Sequence, residues 1–272
     1  MLRKIYNKFV WWRYKAGAGK YSSLLRMNAP LKNSAAGIER CFILATGPSI
    51  RTQDLSALQN EFCISVSNFF VHPLFQQLQP EFHIFAGCHP PITEDTMAGW
   101  WKDATQFMEG NARTKVFIHA ADKALKDKYQ VFEGRQVYYY CNGGAYPVDF
   151  TLPIPGIQTV VHIAIYLAMY LGIKEIYLLG CDHSWLQHFG KSMHFYEEKQ
   201  HAFVRNNYSE WSSTKDMGDE FKAYANLWDV YRAIRTDAAA TGTRIYNATP
   251  GSMLDIFPPK DFSQIVNTSG GE

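Results

Sequence analysis

The chain has 272 residues, of which 47% are hydrophobic and 19% charged, so it can bury a sizeable core and is not a disordered segment. Its 27 Lys and Arg against 25 Asp and Glu leave a formal net charge of +2, too small to point to nucleic acid as a partner. The five cysteines (Cys41, Cys63, Cys88, Cys141, Cys181) form no CxxC pair, which excludes a disulfide framework or zinc ribbon and predicts reduced, cytoplasmic thiols.

Residues 1–35 form a basic, aromatic N-terminal segment. Arg3, Lys4, Lys8, Arg13, Lys15, Lys20 and Arg26 interleave with Ile5, Tyr6, Phe9, Trp11, Trp12 and Tyr14, and no acidic residue precedes Glu39. That pattern suits a helix lying on an anionic membrane surface through residues 1–30, and equally a helix docked on the protein with a solvated basic face. The apolar run is too short and too charged for a signal peptide, and no stretch approaches the ~20 apolar residues of a membrane span. Gly17–Ser22 reads GAGKYS, but the leading Gly and the Ser or Thr after Lys20 that a phosphate loop requires are missing.

From residue 36 the chain alternates short apolar runs with small or polar turns. Cys41–Ala45 reads as a buried strand ending in Thr46-Gly47-Pro48-Ser49. Phe62–Val66 ends in Ser67-Asn68, and Phe82–Phe85 ends in Ala86-Gly87-Cys88-His89. Lys115–His119 and Gln136–Tyr140 are two more strands, with a helix over Trp100–Gly110 before them. Unalternating apolar runs are what strands buried on both faces look like, and repeated small or polar strand ends are what a ligand-binding sheet edge looks like. A strand followed by a Gly turn also lets backbone N–H groups approach a phosphate.

Asn142–Ile157 is rich in Gly and Pro and predicts a loop. Thr159–Leu171 is a helix apolar enough to be buried on most of its surface, with His162 as a core residue and an N-terminus suited to an anion. Ile176–Leu179 is a buried strand whose end is chemically dense: Gly180, Cys181, Asp182, His183, Ser184, Trp185. Residues 186–215 carry charge, aromatics and His188, His194 and His201 without an apolar period, and predict a lid. The histidine spacings of five, six and seven residues from His183 match no metal-ligand motif. Glu220–Ala240 is a helix, Arg244–Asn247 a last strand, Met253–Phe257 a short helical piece, and 266–272 a disordered tail. The expected fold is α/β, a doubly wound and mainly parallel sheet spanning 36–265, with the helical lid inserted and the N-terminal helix peripheral.

Thr46-Gly47-Pro48-Ser49, Ser67-Asn68, LGIKEIYLLGCDHSW and IYNATPGSMLDIFP, in this order and spacing, resemble one superfamily. It holds the bacterial sialyltransferases of glycosyltransferase family 42 and the MptE-like 6-hydroxymethylpterin diphosphokinases. The resemblance runs from about Cys41 to Phe262 and is weakest across 100–156 and 186–215. It implies that Gly47, Pro48 and Ser49 line the nucleotide phosphates, that Asn68 and His89 contact the donor, that Thr159 marks the phosphate-binding helix start, and that Ser252 lies near the base. Asp182 matches an Asp of the family, whereas Trp185 stands where a Tyr assists the leaving phosphate and lacks its hydroxyl.

Two enzyme readings and one binding reading follow. The first is a glycosyltransferase of surface-glycan biosynthesis, using a nucleotide-activated sugar, a CMP-linked nonulosonic (sialic) acid, with no cofactor and a glycan or lipid-linked acceptor. Its general base would be His183, oriented by the adjacent Asp182, or His194 in the lid. The second is an MptE-like pyrophosphokinase using ATP and Mg²⁺, which needs carboxylate ligands such as Asp182 and Asp255. The third is a non-catalytic nucleotide-binding scaffold in a glycan-assembly complex.

Overall fold

The computed structural model describes residues 19–89, 92–185 and 216–267. Seven parallel strands form one sheet in the order β5-β4-β3-β2-β1-β6-β7. They are β1 (Arg40–Leu44), β2 (Phe62–Val66), β3 (Phe82–Ile84), β4 (Lys115–His119), β5 (Val137–Tyr140), β6 (Glu175–Leu179) and β7 (Arg244–Asn247). The chain builds outward from β1 to β5 on one side, then returns to lay β6 and β7 on the other. The direction reverses between β1 and β6, which pair in register from Arg40↔Glu175 to Leu44↔Leu179. In open α/β sheets, ligands bind at the carboxyl ends of strands at such a reversal.

The inner strands are buried on both faces because they are largely apolar, while the edge strand β7 is exposed at Arg244. Side chains alternate across it: Ile43, Ile64 and Leu178 join one core layer, while Phe42, Leu44 and Leu179 join the other. The first layer is closed by α5 (Val160–Tyr170), nearly all of whose residues are buried, packed on β1, β2 and β3. Outside it lies α6 (Met217–Thr241), whose Leu227, Tyr231, Ile234 and Ala238 face α5 and β7. Asp216 caps the start of α6, and Gly242 ends it at φ +69°. The opposite layer holds α2 (Phe75–Leu78), α3 (Glu94–Phe107) and α4 (Lys123–Tyr129). Here the high aromatic content is core: Phe85 meets Trp100 edge-on at 4.9 Å and Phe132 at 5.4 Å. Burying each such ring contributes about 1.5–3 kcal/mol.

Two expectations are corrected, and of the two N-terminal readings the docked helix is the one the described residues adopt. The N-terminal segment is not separate over its described part: residues 19–26 are helical (α1), Leu25 and Leu31 are buried, and Asn28 donates to Tyr139 O at 2.7 Å and Phe150 O at 2.8 Å. Residues 19–35 therefore dock on the domain, and the membrane-surface reading falls on residues outside the described ones. Met253–Phe257 is an irregular loop, held by Ser252 and Asn247 rather than by helical bonds. The last helix, α7 (Phe262–Asn267), runs into the stretch expected to be tail. Residues 186–215, with His188, His194 and His201, lie outside the described residues. No described helix is long and apolar enough to cross a membrane.

Candidate active site

At the reversal between β1 and β6, a cavity of about 80 Å³ is lined by Thr46, Gly47, Ser67, Thr159, Asp182 and His183, among others. Its volume suits a single phosphate-sized group rather than a whole nucleotide. Three backbone features converge on it. The first is the turn after β1, where Gly47 N donates to Gly180 O at 2.9 Å and Pro48 opens a 3-10 helix over Pro48–Thr52. A Cβ on Gly47 would lie 1.9 Å from Asp182 Oδ2 and 2.5 Å from Gly180 O, so only glycine lets the turn sit this close to β6.

The second feature is the start of α5. Thr159 is its N-cap with extended backbone, yet its hydroxyl makes no cap bond. The N–H groups of Val160 and Val161 in the first turn, both residues lining the cavity, belong to the set a helix leaves without intrahelical partners. Those N–H groups and the helix dipole favour an anion there.

The third is strain. Ser67 (φ +54°) and His183 (φ +50°) are left-handed without being glycine, and both line the cavity. Such residues concentrate where a site over-determines the backbone. Ser67 is held by its own carbonyl, which meets His83 Nε2 at 2.8 Å, while His83 Nδ1 meets Ser65 Oγ at 2.7 Å.

The structure brings Gly47, Pro48, Ser49, Thr159, Asp182 and His183 together, but in different roles from those expected. Asp182 does not orient His183. Its carboxylate crosses to the β1 turn, accepting from Ser49 N at 3.0 Å and Ser49 Oγ at 2.7 Å. Ser49 is thus committed to Asp182 through both its donors. His183 turns the other way into an aromatic cage: Nε2 lies 2.7 Å from Tyr231 Oη, and the ring meets Trp185 at 5.0 Å and Trp228 at 5.8 Å. Burial lowers its pKa to about 4, and Nδ1 is buried without a partner. A base that weak, with Nε2 already engaged, does not take a hydroxyl proton, so the general-base role expected for His183 is withdrawn.

Ser252 also works for the fold, donating to Cys181 O at 2.6 Å and accepting from Leu254 N at 3.0 Å. Asn68 is buried after β2, where its Oδ1 accepts from Trp100 Nε1. His89 is exposed beyond the end of β3, two strands from β1, and does not reach the cavity. His162 is a core residue as expected, its Nδ1 accepting from Gln158 N at 3.2 Å. Asp255 accepts from Trp228 Nε1 at 2.8 Å.

Sequence reading passed over Tyr231 and Asp122. Tyr231 hides in the apolar stripe of α6 because its hydroxyl partner lies on a distant strand end. Asp122 sits directly before α4, at its N-cap position, but makes no cap bond. It accepts instead from Cys88 N, across on the β3 turn, at 2.9 Å.

No protein-family model matches the chain, and no curated protein matches it. Among solved structures, the sialyltransferase CstII from Campylobacter jejuni in complex with a substrate analogue, cytidine-5'-monophosphate, is similar with a TM-score of 0.43 and 17% identity, over 81% of this chain and 84% of that one. A variant of the sialyltransferase Cst-II in complex with CMP gives 0.41 and 18%, over 80% of this chain and 84% of that one.

Proposed function

We propose that the protein is a glycosyltransferase that takes a sugar from a CMP-linked donor of the nonulosonic acid class and passes it to a hydroxyl of a glycan or lipid-linked acceptor. The observation that carries this reading is the uncapped start of α5, opening onto a phosphate-sized cavity against the Gly47 turn. The motifs that resemble family 42 sialyltransferases supply the donor class.

In this reading the donor phosphate sits at the N–H groups of Val160 and Val161, with Thr159 Oγ1 as a further donor. The acceptor oxygen attacks the anomeric carbon, the bond from that carbon to the phosphate oxygen breaks, and its electron pair leaves on the phosphate. Preorganised N–H groups stabilise that growing charge without reorganising. Gly47 and the Asp182–Ser49 bonds fix the wall opposite. His183 and Tyr231 hold the β6 end in shape. The resemblance implies a general-base histidine in the lid, where His188, His194 and His201 lie outside the described residues, and a lipid-linked acceptor would meet the basic aromatic residues of 1–18.

The pyrophosphokinase reading needs magnesium, and the two carboxylates that would hold it fit poorly. Asp182 accepts twice from Ser49, and Asp255 accepts from Trp228. A thermal-shift series with CMP, CDP, UDP, GDP and ATP, each with and without Mg²⁺, tests the proposal. A ligand at 100 times its Kd adds about 2.7 kcal/mol of stability. Stabilisation by CMP without metal is the expected result. Stabilisation by ATP only with Mg²⁺ would replace this reading with the pyrophosphokinase, and no response to any nucleotide would remove both.

A further inference from the structure

His183 stands at the cavity with one ring nitrogen engaged and the other not. It lines the space at the end of β6 and is 5% exposed. Its Nε2 lies 2.7 Å from Tyr231 Oη. Tyr231 is fully buried in α6, and among the described residues its hydroxyl has this one partner. A buried O–H has to donate, and Nε2 is the acceptor within its reach. Tyr231 therefore donates, Nε2 accepts, and the neutral ring carries its proton on Nδ1. Nδ1 is thus an N–H donor, and it is buried without a partner among the described residues.

The direction of that donor follows from the ring. The two nitrogens of an imidazole face nearly opposite ways, so with Nε2 turned to α6, Nδ1 faces back toward the strand end. The α6 side is filled by Trp228 at 5.8 Å and Tyr231 at 5.4 Å, and Trp185 meets the ring at 5.0 Å. What is left is the cavity, bounded on its far side by Thr159, Val160 and Val161 at the uncapped start of α5. His162 also holds an unpartnered nitrogen, Nε2, but does not line the cavity.

Resting on the proposed transfer reaction, we infer that His183 is a phosphate-binding residue: its Nδ1–H donates to an oxygen of the donor phosphate held at the start of α5. The contact adds a side-chain donor to the N–H groups of Val160 and Val161. Tyr231 acts through it as a positioning residue, holding the ring in the tautomer that presents Nδ1–H. A buried donor that has no protein partner is satisfied when an anion's oxygen reaches it, which adds to binding. No proton moves in this contact. The ring stays neutral, in keeping with a pKa lowered to about 4 by burial, and proton abstraction is left to the lid.

The test is calorimetric titration of the full chain with CMP and with cytidine, on the unaltered protein, His183→Gln and His183→Asn. The Asn amide nitrogen stands where Nδ1 does, and Asn tolerates the left-handed backbone there (φ +50°), whereas Gln reaches only the Nε2 position. The expected result is a CMP Kd raised about 10- to 100-fold in His183→Gln, the worth of one hydrogen bond to a charged group, with cytidine binding unaltered. His183→Asn keeps the donor and loses the Tyr231 contact, and should bind CMP within about threefold of the unaltered chain. A Gln variant that binds CMP as the unaltered chain does overturns the role of His183 alone. So does an equal loss for cytidine, or the reverse ranking of the two variants, which would assign His183 to the Tyr231 tether. The tautomer is read without a variant by nuclear magnetic resonance of the isotope-labelled chain: the His183 Nδ1 signal should be that of a protonated nitrogen and should move on adding CMP. An unprotonated Nδ1 overturns the inference. If the unaltered chain binds no CMP, the donor reading fails and this role falls with it.

Discussion

Two carboxylates, Asp182 after β6 and Asp122 after β4, do the same thing in outline: each reaches over to hold the turn that follows a neighbouring strand. They differ in how fully they are used. Asp182 receives both the N–H and the hydroxyl of Ser49, whereas Asp122 receives one N–H, that of Cys88. Asp182 is thus a two-point clamp on the turn that walls the phosphate cavity, while the Asp122 carboxyl, which accepts from Cys88 N, is raised to about 6 mainly by burial.

The comparison breaks most visibly at the two glycines behind the carboxylates. Gly47→Ala puts a methyl into Asp182 and the backbone oxygen of Gly180, and should cost about 3 kcal/mol or more by urea denaturation, with loss of CMP stabilisation. Gly87→Ala meets the His119 side chain instead, and should cost about 1 kcal/mol. Equal losses would mean that the β1 turn is no more tightly held than the β3 turn.

Asp182→Ala removes two charge-assisted bonds and should cost about 2–4 kcal/mol. In the double variant with Gly47→Ala the losses should be clearly less than additive, because the truncation opens space for the methyl. Strict additivity would show that the clash is with Gly180 O alone.

Asp182's neighbour His183 gives a pH signature. Its folded pKa of about 4 lies below the ordinary histidine value, so the unfolded chain binds the proton first. Its contribution to stability is present above pH 6.5 and is lost as pH falls toward 4, at up to about 1.4 kcal/mol per pH unit. His83, pushed to about 3, and His162, lowered by burial, act in the same direction. The readout is therefore the difference in slope between the unaltered chain and His183→Gln. A His183 that served as general base would instead abolish CMP release on substitution; that release should survive. Tyr231→Phe, which removes one buried hydroxyl partner, should have an effect as small as that of Gly87→Ala, about 1 kcal/mol.

All seven strands could be read from the chain as short runs between turn residues, most clearly where burial on both faces removes alternation, as in Cys41–Leu44 or Ile176–Leu179. The buried helix α5 and the Gly242 end of α6 were legible because burial and a glycine stop are written locally, whereas the start of α6 lies at Met217 behind the Asp216 cap rather than at Glu220. Helix α4 was not, since KALKDKY is short and charged and buries only Leu125. Met253, Leu254, Ile256 and Phe257 imitate helical spacing, but their burial comes from packing a loop beneath α6.

The sequence by itself determined a mainly parallel, doubly wound sheet and a site edge carrying Gly47, Thr159 and Asp182, because apolar runs and small or polar strand ends are local patterns; the strand order, with its reversal between β1 and β6, came from tertiary pairing. Only the tertiary structure decided what the polar groups do there. Asp182 and His183 are neighbours in the chain, yet one faces Ser49, 133 positions earlier, and the other Tyr231, 48 positions later. Adjacent side chains leaving a strand end point in opposite directions, so their partners are set by the elements packed on either side. The same holds for Asp122, which stands directly before α4 yet accepts from the N–H of Cys88 on the β3 turn.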